Sequence, residues 1–265
     1  MELANSIGGI AFIVAGMLLL SLAEGLIPLQ ARNAWNRVHL LPNIALTLLT
    51  FAIGAVLNVL MLAGLLLLER GGFGVLNAVA LPWWAETAIA ILALDLAWYV
   101  THASLHRFGW MWRYHAIHHT DPAVDVTTTV RQHPGETLIR HGYLAVFAAA
   151  IGASPAAFAI YRVWSVFNGL FEHANIRLPI WLDSAISLVL VSPDTHKVHH
   201  SKDRWLHDSN YSNIFSVWDR VCGTFTSRAL GRDIDYGLAA HDTEEQQHLV
   251  ALLMQPHRGP EGALP

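Results

Sequence analysis

Residues 83–119 read WWAETAIAILALDLAWYVTHASLHRFGWMWRYHAIHH. From Trp83 to Val100 the stretch is apolar apart from Glu86, Thr87 and Asp95, and beyond it come His102, His106, His115, His118 and His119. A helix over 83–100 is about 27 Å long, close to the ~30 Å hydrocarbon core of a bilayer. Trp83 and Trp84 stand where an interfacial aromatic belt belongs. The stretch predicts a membrane-spanning helix that ends in imidazoles and leaves Asp95 to be explained.

The rest of the chain agrees. Of its 265 residues 54% are hydrophobic and 14% charged, and the mean hydropathy is +0.38. Ile7 to Leu29 and Asn43 to Leu68 are further apolar runs of spanning length. Buried helices of a large soluble core would need far more polar surface than this chain has. Met1 to Ser6 holds Glu2 and no lysine or arginine, unlike a cleavable signal, so the first helix is expected to stay. Arg32 and Arg37 follow the first run and Arg107 and Arg113 the third, whereas the second exits into Arg70 beside Glu69. The positive-inside rule then places the amino terminus outside and everything from His102 onward on the cytoplasmic side. Leu138 to Phe171 is broken at Gly152-Ala153-Ser154-Pro155, predicting two arms of roughly 15 residues that return the chain to that side as a hairpin or two short spans. Ile180 to Val191 is too short to cross and is expected along the interface. After Gly231, with Asp233, Asp235, Glu244 and Glu245, the chain reads as soluble.

The expected fold is therefore an all-α integral membrane protein, several transmembrane helices under a cytoplasmic histidine-rich helical cap. Its parts are transmembrane helices in 1–100, a histidine-rich catalytic region in 101–230 that includes the hydrophobic hairpin 138–171, and a soluble tail in 231–265. A net charge of -4 and a pI near 6.4 offer no basic face to nucleic acid. The single cysteine, Cys222, excludes an internal disulfide, a four-cysteine zinc site and a protein-held iron–sulfur cluster.

Sixteen histidines remain. His102 and His106, four apart, share a helix face and can reach one ion or two neighbouring ions, although such a pair alone is more often structural. His115, His118 and His119 form H-x-x-H-H, and His196, His199 and His200 repeat that spacing about eighty residues later. Imidazole is mostly neutral at pH 7, so these clusters are no solvated basic face. Metal coordination keeps the rings neutral while their second nitrogens donate to carboxylates or carbonyls. Asp95, Asp194 and Glu172 are the nearest candidates for that role, Asp194 being equally readable as a helix cap. The ligand count exceeds what one zinc requires and suits two metals, and imidazole alone leaves iron, zinc, copper and nickel open.

The order H-x-x-x-H, H-x-x-H-H, H-x-x-H-H at the end of a membrane helix resembles the fatty acid hydroxylase superfamily. Flanking residues resemble its bacterial sterol-desaturase-type branch: His118 to Pro122, Asp125 to Thr128, Arg131 to Glu136, Glu172 to Ile176, Ser192 to His196, Asn210-Tyr211, Trp218 to Arg220 and Gly223 to Phe225. The resemblance covers about half the chain, from Ile89 to Thr226. It implies two iron ions in a di-iron centre, with dioxygen as co-substrate, held by His102, His106, His115, His118, His119, His196, His199 and His200, with His173 as a further ligand. His133 is open between a turn residue before Pro134 and a ligand or a ligand's hydrogen-bond partner. Ala103 and Ser212 depart from the family's common arginine and glycine, which bears on substrate rather than on the metal centre.

The resemblance implies a non-haem monooxygenase or desaturase in a bacterial cell membrane, acting on a membrane lipid. Without a flavin or nicotinamide fingerprint, electrons are expected from a separate ferredoxin, cytochrome or reductase, with Arg107, Arg113 and Lys197 as candidate docking cations. The competing readings are a histidine-rich membrane metal transporter or metal-binding protein, and a one-zinc hydrolase. Transporters usually place ligands near the bilayer midplane on broken helices, whereas these follow the apolar runs.

Overall fold

The computed structural model describes residues 2–31, 38–227, 234–239, 241 and 243–258, with side chains from Ile13 onward. Arg32, Arg37 and Asp233 lie outside the described residues. The fold is helical, as expected: α1 (Glu2–Leu26), α2 (Leu40–Arg70), α3 (Trp83–Arg107), α4 (Gly109–His119), α5 (Pro134–Ile151), α6 (Pro155–His173), α7 (Ile180–Ser187), α8 (Pro193–His199), α9 (Arg204–His207), α10 (Val217–Cys222) and α11 (Leu249–Met254).

Two of these, α2 and α3, are long and apolar enough to cross a membrane, and the described part of α1 adds the shorter apolar helix Ile13–Leu26. Leu41, Leu48, Val56, Val59, Leu60 and Leu67 on α2, and Trp83 and Trp84 opening α3, are exposed. An apolar face of that extent marks a surface for contact with lipid or with another protein.

The predicted break at Gly152 to Pro155 is present. Gly152 ends α5 in the left-handed conformation (φ 76°), and Ser154 caps α6 by accepting from Ala157 N at 3.3 Å. The two helices run 18 and 19 residues, longer than the expected arms. They extend past the apolar run to Pro134 and His173, where Glu136, Glu172 and His173 are buried in the bundle. The turn between them reaches the far end of the bundle, where Gly74, after α2, packs backbone to backbone on Gly152 so closely that a Cβ on Gly74 would overlap it.

Three helices open in one way, with a capping side chain followed by proline at the first position: His133-Pro134, Ser154-Pro155 and Ser192-Pro193. Proline there lacks only a hydrogen that has no helical partner anyway. Leu94, Ala97, Leu144, Ala157, Phe158 and Tyr161 form the core where α3, α5 and α6 meet.

Polar ties close the histidine end. Asp121 accepts from Asn43 Nδ2 and Thr128 Oγ1, both at 2.8 Å, and pairs with His39 Nδ1 at 2.8 Å. Fully buried Arg131 donates to Ile117 O, Asn43 Oδ1, Thr120 Oγ1 and Gln247 Oε1. The segment after residue 243 thus folds back on α2 and α4, with Leu252 against Leu46 and Ile117.

Candidate metal centre

The sharp turn at Phe108, in extended conformation (φ -99°, ψ 114°), directs α4 back across the end of α3. Nitrogens of His102 and His106 from α3, His115 and His119 from α4 and His199 from α8 then lie within 4.8 Å of one another. A second set, equally close, joins His118, His173, His196 and His200, and all nine side chains are buried. The two H-x-x-H-H motifs cross: His115 and His119 enter one group and His118 the other, whereas His196 and His200 enter the second and His199 the first.

The outer nitrogens fix the tautomers. His102 Nδ1 stands 2.8 Å from Tyr211 O, His173 Nδ1 2.8 Å from Gly169 O and His199 Nδ1 2.7 Å from Ser209 O. His115 Nδ1 meets Glu136 Oε1 at 2.9 Å and His106 Nδ1 meets Asp208 Oδ1 at 3.2 Å. Carbonyls and carboxylates only accept, so these rings donate through Nδ1 and carry a lone pair on Nε2. Yet His102 Nε2 and His115 Nε2 stand 3.0 Å apart, with His119 Nε2 3.2 Å from the latter. In the second group the single lone pair of His173 Nε2 meets His118 and His196 at 3.1 Å and His200 at 3.2 Å.

Facing lone pairs repel unless a cation lies between them. Two nitrogens each ~2.1 Å from one ion, at right angles, stand about 3.0 Å apart. The buried Nε2 atoms of His106 and His199, which have no hydrogen-bond partner, complete a set that suits a divalent transition metal. Burial, then the neighbouring imidazoles, holds His115, His119, His196 and His200 well below the ordinary histidine range; burial and then Arg140 bring His118 to about 3. The rings are therefore neutral near pH 7, as ligands must be.

A cavity of about 280 Å³ opens onto both groups, reaching His102 of the first and His118, His173 and His196 of the second. Phe51, Ala55, Trp98, Leu144 and Val166 supply its apolar wall.

The sequence profile of the family described as fatty acid hydroxylase matches residues 87–224, the segment that contributes all nine histidines. The chain belongs to the fatty acid hydroxylase family. It is 29% identical over 168 residues to alkylglycerol monooxygenase of Homo sapiens, covering 60% of this chain and 34% of that one. Over 175 residues it is 25% identical to ornithine lipid hydroxylase OlsE of Rhizobium tropici, covering 66% and 51%. With the cholesterol 25-hydroxylase-like protein of Danio rerio identity is 28% over 155 residues, covering 57% of each. The chain thus spans about a third of the length of the alkylglycerol monooxygenases it matches. No solved structure matches it.

In this fatty acid hydroxylase chain the nine expected histidines converge, and the other candidates divide. Glu172 lies beside the second group, Oε1 3.7 Å from His173 Nδ1 and 3.8 Å from His196 Nε2. Asp95 does not support His102: its carboxylate accepts from Ile214 N, Phe215 N and Trp218 Nε1 at 2.9–3.1 Å, clamping the segment after Tyr211 onto α3. Asp194 sits in the first turn of α8, where Ser192 is the cap. His133 belongs to neither group; its Nδ1 accepts from Gly135 N at 2.9 Å as the cap of α5, and its Nε2 meets Leu253 O. Lys197 is buried, donating to Val124 O and His173 O, and so offers no charge to a docking partner; Arg107 and Arg113 are exposed.

The carboxylate that does orient a histidine, Glu136, went unassigned in the sequence. Its signal was the i, i+4 pair with Arg140, which donates to the same oxygen at 2.7 Å. Asp208 and His207 gather around His106 as a third small group, again without a spacing cue. Asn210-Tyr211 and Asp219 act through backbone. Asn210 takes the left-handed conformation (φ 53°), and Asp219 accepts from Tyr211 N and Ser212 N at 2.8 and 2.9 Å, presenting the Tyr211 carbonyl to His102.

Proposed function

We propose that this chain is an integral membrane non-haem di-iron oxygenase that hydroxylates or desaturates a lipid-like substrate, using dioxygen and electrons from a separate ferredoxin, cytochrome or reductase. One observation carries the reading: two buried groups of convergent, neutral imidazoles share an apolar cavity. Membership of a family whose named relatives are monooxygenases and hydroxylases of lipids favours iron over zinc, copper or nickel.

In this reading His102, His106, His115, His119 and His199 hold one iron, and His118, His173, His196 and His200 the other. When bound, the iron pair would supply reductive activation of dioxygen and oxidation of an unactivated C–H bond. The chain does the rest. Carbonyls of Gly169, Ser209 and Tyr211 and carboxylates of Glu136 and Asp208 hold the Nδ1 protons outward, so that Nε2 faces the ion. Glu172 borders both the second group and the cavity, where its carboxyl can hold a proton. Phe51, Ala55, Leu144 and Val166 exclude water and accept an alkyl chain.

The membrane crossings belong to residues 1–100 and to the α5–α6 hairpin, residues 101–230 contain the histidine-rich catalytic region, and residues 231–265 form the solvent-side tail. Histidines face the cytoplasm of a bacterial cell, beside exposed Arg107 and Arg113, and the exposed Ile180, Trp181, Leu188 and Val189 lie along the interface.

Metal analysis of protein purified from iron-supplemented cells tests the centre, with about two irons per chain expected. A single tightly held zinc in active protein overturns it. Lipid profiles of cells with and without the gene should differ by an oxygen-dependent product, whereas metal flux into sealed vesicles would favour the transporter instead.

A further inference from the structure

We propose that Gly54 of α2 sets the breadth of the group that can lie beside the histidines: the room its missing side chain leaves in the cavity is kept for an occupant and not for packing. Calling that occupant a substrate rests on the oxygenase reading; the size limit itself does not.

Glycine in a helix interior needs a reason, since it destabilises the helix relative to alanine. A positive φ is one such reason, and Gly54, well inside α2, does not have one. Close approach of another element is the second. It accounts for Gly16 and Gly169, where a Cβ would stand 3.0 Å from Phe167 Cε1 and 3.2 Å from Thr129 Cγ2. At Gly54 a Cβ would meet nothing within 4 Å, although the residue is buried. The space it faces is the cavity, whose wall it forms together with Thr50, Phe51, Ala55 and Asn58 of the same helix. Packing does not require glycine there, whereas an occupant of the cavity would.

Neighbouring contacts fix its depth. Thr50 Oγ1 donates to Gln132 O, and Asn58 Oδ1 meets His141 Nε2, both at 3.4 Å. Gly54 lies midway between Thr50 and Asn58, about 6 Å along the helix axis from each. It therefore stands level with the start of α5, where Glu136 holds His115 and Thr137 borders the cavity. Breadth at Gly54 is breadth at the histidine end, and a side chain there would compete with the bound group while leaving the nine imidazoles in place. Gly54 also precedes the segment 87–224 that the family profile matches, so family membership assigns it no role.

The test uses the full chain in nanodiscs and two photoreactive alcohols of equal length, one with its diazirine on an unbranched alkyl chain, the other with it on a phenyl ring. Labels on Thr137 and Val166 in the cavity are counted by mass spectrometry against labels on exposed Ile89 and Leu92 of α3, which corrects for partition into the bilayer. The unaltered protein should take both labels in the cavity. Gly54→Leu should lower the ratio of aryl to alkyl labelling about tenfold, the scale of one overpacked side chain, and Gly54→Ala should lower it in part. Gly54→Ala should also melt no lower than the parent, because a glycine kept for an occupant gains helix stability on becoming alanine, whereas one kept for packing loses it. An unchanged ratio in Gly54→Leu overturns the proposal; so does a lower melting temperature for Gly54→Ala, or an unaltered cavity that excludes the aryl probe, and these two readings need no folded leucine variant. Labelling requires no turnover, so a wrong metal assignment leaves the measurement intact, and an unchanged ratio leaves the di-iron reading standing.

Discussion

Glu136 Oε1 accepts from His115 Nδ1 at 2.9 Å and from Arg140 Nε at 2.7 Å. One buried oxygen thereby ties the five-histidine group to the guanidinium that borders the cavity. Glu136→Gln keeps the shape but loses the charge and can present an N–H to another donor. The expected result is a roughly 10–100-fold loss of metal affinity, the usual effect of removing a ligand's orienting partner. Metal titration of the apo protein checks it, and unchanged affinity would remove Glu136 from that role.

The unequal groups give different penalties. His118→Ala leaves three nitrogens in the second group, whereas His199→Ala leaves four in the first. Both variants should lose oxygen-dependent product while inserting normally, and His118→Ala should retain less metal per chain. Retained turnover in either would take that residue out of the ligand set.

Asp95 predicts an effect on stability. Its carboxylate accepts from two backbone amides and the Trp218 indole, so Asp95→Ala strands three donors in a buried setting. The cost should be about 3 kcal/mol or more, read as a fall in melting temperature in detergent. A melting temperature within a degree or two of the parent would show that the clamp is dispensable.

The His39–Asp121 pair predicts a pH dependence. Burial disfavours the His39 imidazolium, but the Asp121 charge and hydrogen bond, with Asp125, outweigh it and raise His39 above its usual 6.5. Burial also opposes ionised Asp121, yet His39 and Arg131 hold its carboxyl below the usual carboxylate range. The imidazole's contribution is full below about 6.5 and is lost as pH rises through its raised value. The carboxylate's contribution is present above about 4 and is lost as pH falls through its depressed value. The pair thus stabilises most between about 4 and 6.5. The other buried imidazoles, whose values are lowered, act oppositely in acid, so the difference curve is the measurement. Parent minus His39→Gln melting temperature should shrink from pH 6 to pH 9, and a flat difference would refute the pairing.

Local pattern determined much of this protein. The apolar runs, the break at Gly152 to Pro155 and the i, i+3, i+4 histidine spacings depend on residues within a turn or two of one another, and periodicity reads such relations directly. The nine histidines and the family are legible for that reason. Which imidazole joins which group is not, because positions i+3 and i+4 share one helix face, and only the tertiary placement of α4 and α8 about the two groups assigns His118 and His199 to opposite ones. Asp95, two turns from His102 on one helix, was the natural partner by spacing, yet the carbonyl that meets His102 comes from Tyr211, 109 positions away. His133 went the other way, a candidate ligand whose proline neighbour made it a local cap. The outer nitrogens of His102, His106, His115 and His199 are met by backbone or carboxylate oxygens 10 to 109 positions away, and that choice belongs to the tertiary structure because no interaction within a single helix can supply it.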